Sequence, residues 1–311
     1  MSARRAEQLT VAANRPPAPF SARAARGPAR LRLAACCALL LPMLLSCTAM
    51  FLQPDRVRYS TPDELGLWYE NVRFRSADGT LLSGWFLPAR GQPRGTVVHF
   101  HGNAANISDH IHAVRWLPEH GYAVLMFDYR GYGDSQGAPS LTGAVADGVA
   151  ALAYVRTRAD VDPERLAVFG QSLGGALAVS ALARDGGAGV RALVVEGAFA
   201  SYREVARRIL ARGWLTWPFQ YPVSFLFSDS LSPRQDLAAI AQLPLLVVHG
   251  EADQTVPFRA GRSLFDAFSG ADKEFWAVPL GRHMEAFATP GSPWRTRLLD
   301  YLRLKVEPPP P

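Results

Sequence analysis

Three residues of the right kinds for acyl chemistry each follow an apolar run of strand length. Ser172 lies in Gly170-Gln171-Ser172-Leu173-Gly174, directly after Leu166–Phe169 and at the start of a small-residue helix pattern, Leu173–Ala183. Small residues two positions either side let a strand turn sharply into a helix and lift the hydroxyl clear of the backbone. The helix N-terminus then favours negative charge developing beside it. A serine hydroxyl is a weak nucleophile until a base removes its proton. His283 can be that base, in the Gly281-Arg282-His283 segment after Phe275–Val278. Asp253 follows Leu245–His249 in Gly250-Glu251-Ala252-Asp253 and can hold the imidazole in the needed tautomer. Glu251 and Glu196 are rival acids, each near a strand end, and Asp253 fits the ordinary strand-to-acid gap better.

For three such distant residues to meet, the elements must bring their strand ends together. Asn71–Arg75 and Leu81–Leu87 flank Ala77-Asp78-Gly79-Thr80, where Asp-Gly marks a hairpin. Strand and helix patterns then alternate. Gly95–Phe100, Tyr122–Phe127, Leu166–Phe169, Ala192–Val195, Leu245–Val248 and Phe275–Val278 read as strands. Ile107–Glu119, Leu141–Arg156, Leu173–Ala183 and Pro293–Leu304 read as helices. Near-continuous apolar strands separated by helices predict a mostly parallel sheet covered on both faces. Residues 199–232 break that rhythm with Trp214, Trp217, Phe219, Tyr221, Phe225 and Phe227. This small helical, aromatic-rich insertion is expected either to cap the sheet's C-terminal edge or to be a packed excursion. The folded body is expected to be one domain over 53–307, with 308–311 a tail.

Acyl transfer also needs two backbone N–H groups aimed at the oxyanion. One is expected from Leu173, the residue after the nucleophile. The other is expected at Asn103 or Ala104, in the His101-Gly102-Asn103-Ala104 loop after Gly95–Phe100. His101 and Gly102 are expected to support that loop. With these pieces together, the chain resembles an α/β-hydrolase. It is similar to serine-aminopeptidase-like hydrolases and to the abhydrolase-domain group of membrane-associated lipid hydrolases. The matching segments are His101-Gly102-Asn103, Asp128-Tyr129-Arg130-Gly131-Tyr132-Gly133, the Ser172 turn, Glu196-Gly197-Ala198-Phe199, His249-Gly250-x-x-Asp253 and Gly281-x-His283. They span roughly residues 72–304. The resemblance implies the α/β-hydrolase fold and a Ser-Asp-His triad, in a group that includes esterases, thioesterases, lysophospholipases and peptidases. Ala104-Ala105 depart from that pattern, where relatives often carry another glycine or an acid.

Charge and cysteine are concentrated ahead of this body. Residues 1–46 hold seven arginines and one acid, Glu7, which leaves 26 basic and 26 acidic residues in the rest of the 311-residue chain. A neutral body gives no electrostatic reason to bind nucleic acid. Leu33–Leu52 carries no charge and follows the arginines, the layout of an export signal. Residues 1–52 are therefore expected to be an export signal or a membrane anchor. Leu44-Leu45-Ser46-Cys47 resembles a bacterial lipobox, and that resemblance implies cleavage and lipidation at Cys47. An uncleaved anchor, with the arginines inside, is the alternative. Either reading puts the protein in the bacterial cell envelope, membrane-attached, with the body on the non-cytoplasmic side. Cys36, Cys37 and Cys47 are the three cysteines, so the body holds neither disulfide nor thiolate zinc site.

No cofactor is expected. Gly131-x-Gly133-x-x-x-Gly137 misses the dinucleotide-binding spacing by one residue and reads as a tight turn. Serine chemistry needs no metal. The expected function is hydrolysis of a carboxylic ester or related acyl bond in a small or lipid-like substrate. Peptidase or thioesterase activity on the same site, and a non-catalytic envelope scaffold, are the alternatives.

Overall fold

The apolar runs become strands because alternate residues of each bury into opposite layers. The computed structural model describes residues 51–307. Cys47, most of the apolar run and the 308–311 tail lie outside them. In chain order the strands are β1 (Gln53–Pro54), β2 (Glu70–Arg75), β3 (Leu81–Leu87), β4 (Gly95–Phe100), β5 (Ala104–Ala105), β6 (Tyr122–Phe127), β7 (Leu166–Gln171), β8 (Val190–Glu196), β9 (Leu245–Gly250) and β10 (Lys273–Val278). The longer helices are α1 (Leu141–Thr157), α2 (Leu173–Asp185), α3 (Tyr202–Arg212), α4 (Phe258–Ala267) and α5 (Pro293–Val306).

Eight strands form one sheet in the order β10-β9-β8-β7-β4-β6-β3-β2. Neighbours from β10 through β6 pair in parallel. The β2–β3 hairpin adds an antiparallel edge. In β4, β7 and β9, Val98, Val168 and Val247 bury beneath α1, α2 and α4. Their neighbours Val97, Phe169 and Val248 bury on the other face with Leu298 and Leu302 of α5. Each such side chain contributes roughly 1.5–3 kcal/mol by leaving water. Because both faces are covered, the strands are apolar throughout rather than alternating. This is the α/β-hydrolase architecture. The chain runs from β4 outward to β6 and then back across to β7, so a crevice opens at the C-terminal ends of β4 and β7.

Two expectations about elements change. Ile107–Glu119 is not one helix but a turn of α-helix at Ile107–His110, a 3₁₀ turn at Ile111–Ala113 and another at Pro118–His120. Pro118 has no N–H to continue a ladder, and the segment buries Ile107, Ile111, Val114 and Leu117 as it turns. Helix α4 is an addition to the sequence reading. Residues 199–232 form α3 and short turns, with Trp214, Trp217, Phe219, Tyr221 and Phe225 exposed. Phe51 and Leu52, at the end of the apolar run, are buried in the body.

Candidate active site

Ser172 sits where β7 meets α2 with φ 51° and ψ −117°. A non-glycine residue there is strained by about 1–3 kcal/mol and must be held by its surroundings. Its N–H donates to the Glu196 carbonyl at 2.8 Å, at the end of β8. The flanking glycines are required by close backbone approach. A Cβ on Gly170 would lie 2.6 Å from the Gly175 Cα, and one on Gly174 would lie 2.1 Å from the Phe100 carbonyl oxygen. The turn is thereby pressed against the end of β4, which carries the expected oxyanion loop.

The loops after β9 and β10 are joined by backbone hydrogen bonds. The Glu251 N–H donates to Val278 O and the Ala252 N–H to Gly281 O, both at 3.0 Å. Gly250 allows this, since a Cβ there would lie 2.2 Å from Gly281 O. Asp253 and His283 are brought together as a result: Nδ1 of His283 donates to Asp253 Oδ2 at 2.6 Å. His283 Nε2 lies 3.0 Å from Ser172 Oγ. Asp253 Oδ1 accepts the Thr255 and Val256 N–H groups at 2.8 and 2.9 Å. Burial pushes the Asp253 carboxyl up, but His249, with Nε2 3.4 Å from Oδ2, and the His283 hydrogen bond outweigh it. The net result holds Asp253 well below the usual carboxylate range. It is therefore a carboxylate beside the imidazole, as a proton-accepting histidine requires.

The loop expected to supply the second oxyanion donor is fixed from two sides. His101 is fully buried, its Nδ1 donates to Gly102 O at 2.8 Å, and burial holds it well below its ordinary value, so it is neutral. The Tyr129 hydroxyl donates to His101 O at 3.1 Å. Asn103 Oδ1 accepts from Gln53 N and the Tyr132 hydroxyl at 2.9 and 3.3 Å. Ala104 and Ala105 pair as β5 with β1, and Nε2 of His110 donates to Ala104 O at 3.0 Å. A Cβ on Gly102 would touch Met284 Sδ at 3.4 Å, so this loop lies beside the residue following His283. Leu173 is the first residue of α2.

Sequence reasoning named Glu196 as a rival acid and within a segment shared with the family, and missed what it joins. Its Oε2 accepts from Gln171 Nε2 at 2.7 Å, and its Oε1 accepts the Ala286 N–H at 2.9 Å. Gln171 Oε1 in turn accepts from His99 Nε2 at 3.1 Å. Burial pushes the Glu196 carboxyl up to about 7, against these donors. One residue thus ties the Ser172 N–H, through its carbonyl, to the segment after His283, through its carboxyl. Gly197, at φ 63°, lies beneath the imidazole, with a Cβ position 3.1 Å from His283 Cε1. Glu251 is exposed and outside this arrangement. The cleft lined by Arg90, Arg94, Glu119 and Arg303 is at the opposite end of the strands and takes no part. Among the described residues no group of three or more histidine, cysteine or acidic side chains is placed to hold a metal ion.

A nucleophile, an imidazole and a carboxylate hydrogen-bonded in series can transfer a proton from the hydroxyl and return it to a leaving group. Comparison with known proteins places the chain among hydrolases of this fold. The family described as serine aminopeptidase S33 matches residues 91–222. The chain is 36% identical over 263 residues to the uncharacterised protein YfhR of Escherichia coli K12, covering 83% of this chain and 88% of that one. It is 33% identical to the α/β-hydrolase domain-containing protein WAV2 of Arabidopsis thaliana, covering 76% and 80%. The esterase Pf2001 of Pyrococcus furiosus shares the fold with a TM-score of 0.68 and 22% identity, over 82% of this chain and 98% of that one. The geometry at the strand ends and the extent of these similarities lead to one conclusion: this chain belongs to the α/β-hydrolase family.

Proposed function

We propose that this hydrolase cleaves a carboxylic ester or related acyl bond through an acyl-enzyme on Ser172. The observation that carries the reading is the series Ser172 Oγ, His283 Nε2 and Nδ1, Asp253 Oδ2, at 3.0 and 2.6 Å. The hydroxyl adds to the acyl carbon while His283 takes its proton, and Asp253 stabilises the imidazolium. The N–H groups of Leu173 and of Asn103 or Ala104 receive the oxyanion. Collapse expels the alcohol, which takes the proton from His283, and water repeats the sequence to release the acid. The description of the Pyrococcus furiosus neighbour as an esterase favours esters. The family description favours amide bonds as a second reading on the same residues. We further propose attachment to the bacterial envelope through the apolar N-terminal run, with lipidation at Cys47.

Ser172→Ala is expected to abolish turnover of p-nitrophenyl esters and labelling by a fluorophosphonate probe, with the fold intact by circular dichroism. Undiminished turnover would reject the assignment. Absence of both labelling and turnover of esters, thioesters or aminoacyl anilides in the wild type would point to a scaffold that keeps the fold.

A further inference from the structure

The aromatic block of the insertion is turned outward, and its chemistry is specific. Trp214, Leu215, Trp217, Phe219, Tyr221 and Phe225 are all exposed, Trp214 by 84% and Phe225 by 68%. Scattered exposed apolar residues are ordinary, but a contiguous group of large ones marks an interaction surface. Arginines of α3 border it. The Arg203 guanidinium lies 5.3 Å from the Phe225 ring centre, and that of Arg207 lies 5.4 Å from the Tyr221 ring. Arg208 and Arg212 follow on the same helix, and Glu204 is the one acid in residues 202–227. Burial and the nearby Arg212 and Arg259 charges push Arg208 down, a sign of how closely positive charge gathers here. The rest of residues 47–311 carries 22 basic and 25 acidic residues, so the positive charge of the body gathers here.

We propose that α3 and residues 213–227 dock on an anionic lipid bilayer. Tryptophan and tyrosine favour the bilayer interface, and arginine is drawn to anionic headgroups. Two features favour lipid over other occupants. A second copy docked two-fold on this surface would bring the α3 arginines toward one another. More directly, Phe51 packs edge-on against Tyr202 and Phe227, with ring centres 5.1 and 5.8 Å apart. The uncharged run that begins at Leu33 therefore joins the body at the root of this same surface. Arg212 also donates to the Gln254 carbonyl, next to Asp253. Docking here would hold the Ser172 site close to the bilayer, where a lipid-like acyl substrate resides.

The surface carries two of the chain's seven tryptophans, and residues 1–67 contain none. Tryptophan emission thus reports on the body even when the N-terminus is in the membrane. The full chain, carrying Ser172→Ala so that catalysis plays no part, is reconstituted into phosphatidylglycerol–phosphatidylcholine vesicles with brominated acyl chains. Bromine is expected to quench the emission. Trp214→Phe with Trp217→Phe is expected to lose most of that quenching at unchanged melting temperature. Arg203→Gln with Arg207→Gln is expected to weaken it on phosphatidylglycerol vesicles. Membrane-held protein whose emission is not quenched would overturn the proposal, as would equal quenching after the tryptophan replacements. Quenching indifferent to phosphatidylglycerol and to the arginine replacements would remove its electrostatic basis. Cross-linking through Trp214-containing peptides of two copies, in place of quenching, would assign the surface to a dimer.

Discussion

Asp253 divides its two carboxylate oxygens between two tasks. Oδ1 accepts the Thr255 and Val256 N–H groups, and Oδ2 accepts from His283. An asparagine can keep the first set only by turning its NH₂ toward His283. Nδ1 must then accept, so Nε2 carries the hydrogen and cannot take the proton of Ser172. Asp253→Asn is therefore expected to lower kcat for a p-nitrophenyl ester by about 10³–10⁴ while the loop stays folded. A near-normal kcat would move the acid role to another carboxylate. Glu196 is the nearer alternative, yet both its oxygens are already engaged by Gln171 and Ala286.

The turn between β7 and α2 does two jobs at once. It raises Ser172, and it seats the loop proposed to hold the second oxyanion donor, because β4 ends against Gly174. A Cβ at Gly174 would lie 2.1 Å from Phe100 O and 2.3 Å from His101 O, both backbone atoms that cannot swing aside. Gly174→Ala is expected to displace the end of β4 from the serine, costing roughly 1–3 kcal/mol of stability. Activity is expected to fall further than stability, since an oxyanion donor moved off its position costs about 10²–10³ in kcat. Urea unfolding beside ester kinetics checks both, and wild-type values in each would contradict the close approach. The β1–β5 pairing restrains the same loop from its other side.

Buried acids couple the stability of the fold to pH in opposite directions. Glu196 rises from 4.5 to about 7 in the fold, and Asp128, also by burial, from 3.8 to about 7. The folded chain then holds protons that the unfolded chain has released, so stability falls as pH rises from about 4.5 to 7. Asp253 is depressed, so its contribution is present above 3.8 and is lost as pH falls further. Glu196→Gln removes one proton-binding group and keeps an acceptor for the Ala286 N–H. Between pH values of about 4.5 and 7 its stability is expected to decline less steeply than that of the wild type in urea titrations. Parallel slopes would show that Glu196 does not hold the extra proton.

Strand positions were legible along the chain because burial on both sheet faces demands unbroken apolar runs such as Leu245–Val248. The sharp turn at Ser172 was legible because its glycines answer to local backbone contacts. The order in which serine, acid and histidine follow their strands could be read because it is the order expected on this fold. Other features depend on partners far away in sequence. Nothing near Glu196 announces that it binds Ala286, 90 residues on. Nothing near Asn103 announces that its side chain meets Gln53, 50 residues back. The pattern at Ile107–Glu119 suits a helix, yet packing breaks it into turns. The aromatic residues of 199–232 read equally as a cap over the sheet edge or as a packed excursion, and the folded chain leaves most of them exposed. Periodicity records how a segment divides its faces between core and solvent over a few residues. Strand order and packing decide which distant group occupies each face, and that is where the carboxylate beneath the serine and the outward aromatic surface were decided.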